Sequence, residues 1–478
     1  MKHICFIMIK SKIKKQLFLI TAILTMAVVT GLGQALKPFP QDVNYPYGFR
    51  PTTLLSQIAQ ITYDSWKNLL LTDCNGGYRV KVTENPNETK VEAIGFGMLL
   101  TAYYGEKDKF DGIYAFYKSK RTANANNMMA WNVTCDGIID PGSATDGDID
   151  VAFSLIVAYN QWGGEYLNEA KSVIRVIKNS VVITCNNLLA LAPGYSSRSG
   201  GRWGGCNETD IQYYTPAFFR IFAEVTGDYE WNKLADDTYT ILNAAANPNT
   251  GLVPDWQSVS GVPGGDPPKH YTYYRYDACR VPWRMALDYL WNGNTSAKEW
   301  CTKISNWANN IGPANIKDGY NLDGTENSQG YHNSAFVGGF AVAAMCNSQT
   351  VADAFGTEMS SGRLTETYWF NLCTRAVYLF AMTGNFLKPS VLVNIQSNSF
   401  KPLNVYPNPT RNQINIEGGE LTESRFEYEV VELNGKVLLK GEVKDAGNKI
   451  DVSSIQNGLY FIKLNFNNKF INTKVIKY

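Results

Sequence analysis

The chain has 478 residues, of which 45% are hydrophobic and 13% aromatic, enough to bury one large core and a smaller one beside it. A formal net charge of +1 gives no general attraction to nucleic acid or to an anionic membrane, which excludes partners held by bulk charge and points to a neutral one.

The chain opens with Lys10, Lys12, Lys14 and Lys15, an apolar run from Leu17 to Val29, and then Gly31, Gly33 and Ala35. That order describes a secretory signal over residues 1–35, cleaved near 33–35, better than a membrane span of about 20 apolar residues. No later stretch is apolar enough to span a bilayer, so the mature chain is expected to be exported. Eight cysteines remain after the signal: Cys74, Cys135, Cys185, Cys206, Cys279, Cys301, Cys346 and Cys373. An oxidising compartment allows disulfides, but the spacing selects no pairing, and a core this large makes buried free thiols the expectation for most of them. No Cys-x-x-Cys occurs, so zinc is not expected.

From Thr52 to Thr383, helical periodicity recurs over Leu54–Leu71, Ala93–Tyr104, Asp111–Lys120, Ile149–Trp162 and Tyr166–Ile177. It continues over Ile211–Thr226, Trp231–Ala246, Arg280–Trp291, Ala297–Ile311, Ser334–Met345 and Tyr368–Thr383. No clear strand run interrupts this series, and Gly, Pro, Asn and Asp cluster between its members. An all-α domain of paired helices wound into a ring fits that count, although periodicity does not distinguish a ring from an open solenoid. Beyond Pro389 the texture changes to alternating Ile414 and Ile416, then Phe426, Tyr428 and Val430, an Asn434-Gly435 turn signal, and Val437 and Leu439. A small β-sandwich-like domain is expected there, giving three segments: 1–35, 36–390 and 391–478.

The ring domain centres on Ala144-Thr-Asp-Gly-Asp-Ile-Asp-Val-Ala152. Thr145 and Asp148 have the spacing of a capping box, and Ile149, Ala152, Phe153, Ile156 and Val157 form one buried helical face. Asp146, Asp148 and Asp150 then stand in the first turn, where free N–H groups favour carboxylates. Their spacing suggests a calcium loop, but Val151 and Val157 occupy the positions that need Gly and Glu. Only His270 and His332 remain in the mature chain, too few for a serine triad or a histidine-rich metal site, and each is expected to be a hydrogen-bonded structural residue.

Carboxylates must therefore move the protons, and no cofactor is called for. Glu92, among Val91, Ile94 and Phe96, is expected to be partly desolvated and neutral, as a general acid requires, with Gly95 and Gly97 allowing close backbone approach. Asp277, between Arg275 and Arg280, is expected to stay ionised as a base. A neutral acid and an ionised carboxylate are what glycosidic cleavage needs. Trp131, Trp203, Trp256, Tyr274, Trp283 and Tyr368, set near Gly, Asn, Asp or Arg, are apt sugar platforms.

Glu92-x-x-Gly-Phe-Gly-Met, the Ala144–Ala152 segment with Trp162, Leu252-Val-Pro-Asp-Trp256 and Tyr276-Asp-Ala-Cys-Arg-Val-Pro-Trp-Arg284 resemble the ordered motifs of glycoside hydrolase family 8. Gly319-Tyr-Asn-Leu-Asp-Gly and Tyr331-His-Asn-Ser-Ala-Phe-Val-Gly continue the likeness, over about Pro38 to Pro389. Ala93 and Val151 depart from the family pattern by small apolar changes. The resemblance implies an (α/α)6 barrel, an open cleft and inversion at the anomeric carbon. It assigns Glu92 as general acid, Asp277 as base, Asp146 as the carboxylate orienting the distorted sugar, and Arg280 as support for the base. Trp131, Trp203, Tyr276 and Tyr368 fall to substrate binding. The presence of Asp277 favours the cellulase and xylanase type over the chitosanase type, and a surface glycan-binding protein without turnover is the rival from another class. Over the last 75 residues or so, Val405-Tyr-Pro-Asn-Pro, Gly458-Leu-Tyr-Phe-Ile and the lysine-rich end resemble a type A sorting domain of the type IX secretion system. The expected partners are thus a β-linked polysaccharide and that secretion machinery.

Overall fold

The computed structural model describes residues 35–197, 204–364, 366–390, 404–417, 426–432, 436–443, 449–466 and 469–478. The expected signal segment ahead of residue 35, Trp203 and the expected turn at Asn434-Gly435 lie outside them. The chain divides into two compact units after Val391. No helix among the described residues is long and apolar enough to cross a membrane.

The first unit holds twelve α-helices among its described residues. They are α1 Ser56–Leu70, α2 Val91–Tyr104, α3 Lys107–Ser119, α4 Thr145–Trp162, α5 Tyr166–Val181 and α6 Pro216–Thr226. The second half contributes α7 Glu230–Ala245, α8 Val281–Asn292, α9 Thr295–Ile311, α10 Ser334–Ala344, α11 Gln349–Met359 and α12 Trp369–Met382. Even-numbered helices are apolar nearly all round and buried, α10 and α12 along their whole length. Odd-numbered helices are amphipathic and bury one stripe, as Ala170, Val173, Ile174 and Ile177 do in α5. An inner ring of six helices inside an outer ring of six follows from that alternation, and α12 packs back on α1 and α2 to close it. The barrel axis is filled by rings, with Phe153 stacked on Phe218 at 3.6 Å and Phe386, Trp291 and Trp283 beside them.

Short strands break the helical series where none was expected. They are the hairpin β1 Leu71–Cys74 with β2 Gly77–Val80, the sheet of β3 Glu88–Lys90, β4 Asn132–Thr134 and β5 Ile138–Asp140, and the hairpin β6 Val182–Cys185 with β7 Leu188–Leu191. Strands of three or four residues are too short to impose an alternating pattern on the sequence. Two disulfides, Cys74–Cys135 and Cys185–Cys206, tie these hairpins down, while Cys279, Cys301, Cys346 and Cys373 are buried free thiols. Half of the eight described cysteines thus pair, against the expectation of free thiols for most of them. Both described histidines are hydrogen-bonded, His332 between the Ile316 carbonyl and Glu358 and His270 against Glu208.

The capping box at the start of α4 is not formed. Ala144 is the N-cap, and the Thr145 hydroxyl instead donates to the Ala192 and Pro193 carbonyls. Close packing of α2 on α4 replaces it as the device that fixes the acidic turn. A Cβ on Gly147 would lie 2.5 Å from the Val91 backbone, and one on Gly95 would lie 2.8 Å from the Asp150 Cβ. The two glycines therefore let the first turns of both helices touch, placing Glu92 and Asp146 side by side. Gly147→Ala is expected to cost about 1–3 kcal/mol by forcing the helices apart, read as a lowered melting temperature and a still larger fractional loss of activity.

The second unit is all-β. β8 Asn404–Tyr406, β9 Gln413–Glu417 and β12 Lys449–Asp451 form one sheet. β10 Phe426–Glu432, β11 Val437–Val443, β13 Gly458–Phe466 and β14 Lys469–Lys477 form the other, in the order β11-β10-β13-β14. Ile414, Ile416, Val430, Ile450, Ile462, Leu464 and Val475 fill its own core. β10 and β11 pair antiparallel, Glu429 opposite Lys440, as the hairpin signal between them predicts.

Candidate active site

All six inner helices offer their first turns to one place. Glu92 is the second residue of α2 and Asp146 the second of α4, while Gln212 and Tyr213 lie in a 3-10 turn leading to α6. Asp277 is the N-cap and Arg280 the last residue of the 3-10 turn into α8, Asn333 caps α10, and Phe370 lies in the first turn of α12. Helix N-termini carry free N–H groups and a positive dipole end, so a ring of them suits a cluster of carboxylates.

Arg280 is the hub of the cluster. It is 3% exposed, and its Nη1 contacts Glu92 Oε1 and lies 3.4 Å from Asp146 Oδ2. Its Nη2 donates to Asp277 Oδ1 at 2.6 Å, and its guanidinium lies 5.2 Å from the centre of the Phe370 ring. One cation thus touches all three carboxylates that the sequence singled out. Val91, Ile94 and Phe96, which accompany Glu92 in the sequence, are buried, while the Glu92 carboxylate itself contacts the Arg280 guanidinium.

The three aspartates of α4 point to different partners. Asp150 forms a two-pronged pair with Arg284, its Oδ2 accepting at 2.8 Å. Asp148 accepts from the Tyr117 hydroxyl and the Met129 N–H. Asp146 alone faces the cluster, accepting from Gln212 Nε2 at 3.0 Å. Burial pushes Asp146 up to about 6, with the Asp150 charge adding to the rise and Gln212 opposing it.

Asp277 differs from its sequence-based expectation. Arg275 turns away, to the Asn327 carbonyl and the Tyr273 ring, so among the described residues only Arg280 pairs with it. Burial pushes Asp277 up to about 6, opposed by the Trp256 N–H that it accepts at 2.9 Å and reinforced by the Asp146 charge. Flanking cations in sequence therefore do not hold the carboxyl low, because desolvation outweighs the one cation that reaches it. Asp255 fixes the turn beneath it by accepting the N–H groups of Arg275 and Ala278, both at 2.8 Å.

Trp131 is half-buried and lines a cavity of about 430 Å3 together with Asp140, Tyr213 and Trp256. The carbonyl of Trp131 accepts from the Val91 N–H, tying this wall to the start of α2. Tyr276 is held edge-on by Phe336 and Phe370, its hydroxyl near Asp318 and Asn333. Tyr368 is 43% exposed and donates to Glu84, away from the carboxylate cluster. Asp210, Gln212 and Tyr213 had no local signal in the sequence, since their segment reads as the start of a helix. Asp210 is buried, accepts the Gln212 N–H at 2.9 Å, and is pushed well above the usual carboxylate range by burial and by the Asp277 charge.

Residues 38–380 match the family model described as glycosyl hydrolases family 8, and residues 404–478 match that of the secretion system C-terminal sorting domain. Endoglucanase 2 of Ruminiclostridium josui is 38% identical over 398 residues, covering 79% of this chain and 83% of its own length. Endoglucanase C of Ruminiclostridium cellulolyticum is 37% identical over 397 residues, covering 79% and 82%. Among solved structures, the ligand-free β-1,3-1,4-glucanase of Paenibacillus sp. X4 superposes with a TM-score of 0.64 at 29% identity, covering 73% of this chain and 98% of that one.

Proposed function

Because this chain belongs to glycoside hydrolase family 8, we propose that it is an exported, inverting endo-β-1,4-glycanase in which Glu92 and Asp277 are the acid and the base. The observation that carries this reading is the convergence of Glu92, Asp146 and Asp277 on Arg280. Glu92 protonates the departing glycosidic oxygen. Asp277 takes a proton from a water that attacks the anomeric carbon from the opposite face. Asp146, fixed by Gln212, orients the sugar at the cleavage point, and Arg280 holds the base. Tyr276, Tyr368 and Trp203 serve substrate binding. The names of the relatives favour β-1,4-linked glucans, cellulose or mixed-linkage β-glucan, ahead of xylan.

Product stereochemistry tests the reaction. Proton NMR during hydrolysis of soluble β-glucan is expected to show the α-anomer first, and a β-anomer first would overturn inversion. Reducing-sugar release from β-glucan, carboxymethylcellulose, xylan and chitosan separates a glucanase from a xylanase, a chitosanase and a non-hydrolytic binder. Trp131→Ala is expected to raise KM on β-glucan roughly 3- to 10-fold with little change in kcat, the scale of one lost ring contact.

The sorting domain at 404–478 marks the protein for export. In the proposed route, residues 1–35 direct passage to the periplasm, the type IX machinery takes the chain across the outer membrane, and residues 36–390 form the working enzyme after removal of the tail.

A further inference from the structure

One buried pair beside the cleft has no part in the chemistry above. Glu208 is fully buried, its Oε1 in contact with His270 Nδ1 and its Oε2 3.6 Å from Lys269 Nζ. The His270 imidazole lies flat on the Trp256 indole, with ring centroids 4.3 Å apart and planes 25° apart. The N–H edge of the same indole donates to Asp277 Oδ2 at 2.9 Å, and Tyr213 stands edge-on to it at 6.3 Å.

The backbone around this stack is tied on both sides. Thr209 and Gln257 exchange hydrogen bonds of 2.7 and 3.0 Å, the Gly264 N–H reaches the Trp256 carbonyl at 2.6 Å, and the Asp266 N–H reaches Asn207 at 2.9 Å. Gly265 passes so close to Glu208 that a Cβ there would lie 3.2 Å from the glutamate side chain. A histidine bonded through Nδ1 to a buried carboxylate has its ring plane fixed. An indole has one donor in one direction, so its plane decides whether that N–H meets the carboxylate. The charged groups facing Asp277 are Arg280, Asp146, Asp210 and Asp255, and those facing His270 are Glu208 and Lys269.

We propose that Glu208 and His270 are positioning residues for the base: they hold the Trp256 ring in the plane from which its N–H reaches Asp277, and so set the pH at which that carboxylate can accept a proton. This inference rests on reading Asp277 as the base. The hydrogen bond stabilises the ionised form of Asp277, so losing it makes the carboxylate hold its proton to higher pH.

The test is the pH profile of kcat on soluble β-glucan for Trp256→Phe, His270→Ala, His270→Phe and Glu208→Gln, with melting temperature measured alongside. Trp256→Phe is expected to move the acid limb upward by about one pH unit, the scale of one hydrogen bond to a charged group. His270→Ala moves it the same way by about half as much. His270→Phe returns a ring to the indole face and recovers at least half of that shift. If His270→Ala does not fold, Glu208→Gln and His270→Phe carry the comparison, both shifting upward by less than Trp256→Phe. Folded variants with the acid limb at its wild-type position, lowered melting temperature or not, overturn the proposal. An active Asp277→Asn would instead remove the base assignment on which the proposal stands, whereas an inactive Asp277→Asn together with unmoved limbs in the Trp256, His270 and Glu208 variants removes the positioning role alone.

Discussion

Glu92→Gln is expected to lower kcat on soluble β-glucan by about 10²- to 10⁴-fold, the range of a lost general acid, with melting temperature near that of the parent. Glutamine keeps the shape of the side chain, and Arg280 stays paired with Asp146 and Asp277. What disappears is the proton for the leaving oxygen, so the defect should shrink on an aryl β-cellobioside whose leaving group needs none. Activity within tenfold of the parent on β-glucan, or no recovery with the activated substrate, would remove Glu92 from the acid role.

Asp277→Asn is expected to be as damaging, by about 10²- to 10⁴-fold, and not to be relieved by an activated leaving group, because water attack is then the step without help. In the parent the acid limb of kcat/KM should fall near pH 6, since Asp277 is pushed up to about 6 and must be ionised to accept a proton. The same shift bears on stability. A carboxyl near 6 in the fold and near 3.9 in the unfolded chain binds more protons when folded between those values. Its contribution to stability is therefore present below about pH 4 and lost as pH rises through about 6. Asp146, likewise pushed to about 6, behaves in the same way. The enzyme is thus expected to work in the pH range where its two central aspartates no longer support the fold.

Much of this site was legible because its carboxylates sit in local motifs. Glu92, Asp146 and Asp277 were readable from glycine-bearing or arginine-flanked segments, and Gly95 does permit the close approach inferred for it. Thr145 was misread because its hydroxyl finds carbonyls almost fifty residues away, a choice that only tertiary packing decides. Helix α11 was missed, and the start of α6 was set too early at Ile211. Gln212, Asp210 and the indole bond of Trp256 act across loops distant in sequence, so no spacing rule reveals them. The surroundings of Asp277 were the subtler misreading: counting nearby arginines says nothing about which of them turns away.

Each covalent link between cysteines anchors part of the cleft wall. Cys74–Cys135 joins a hairpin to the strand that follows Trp131, and Cys185–Cys206 ends two residues before Glu208. Loops closed by bonds of 61- and 21-residue separation are each worth about 3–4 kcal/mol on a chain-entropy estimate. Without these two bonds the walls of the groove would be held by packing alone, so reduction is expected to loosen the groove before the buried helical rings around it.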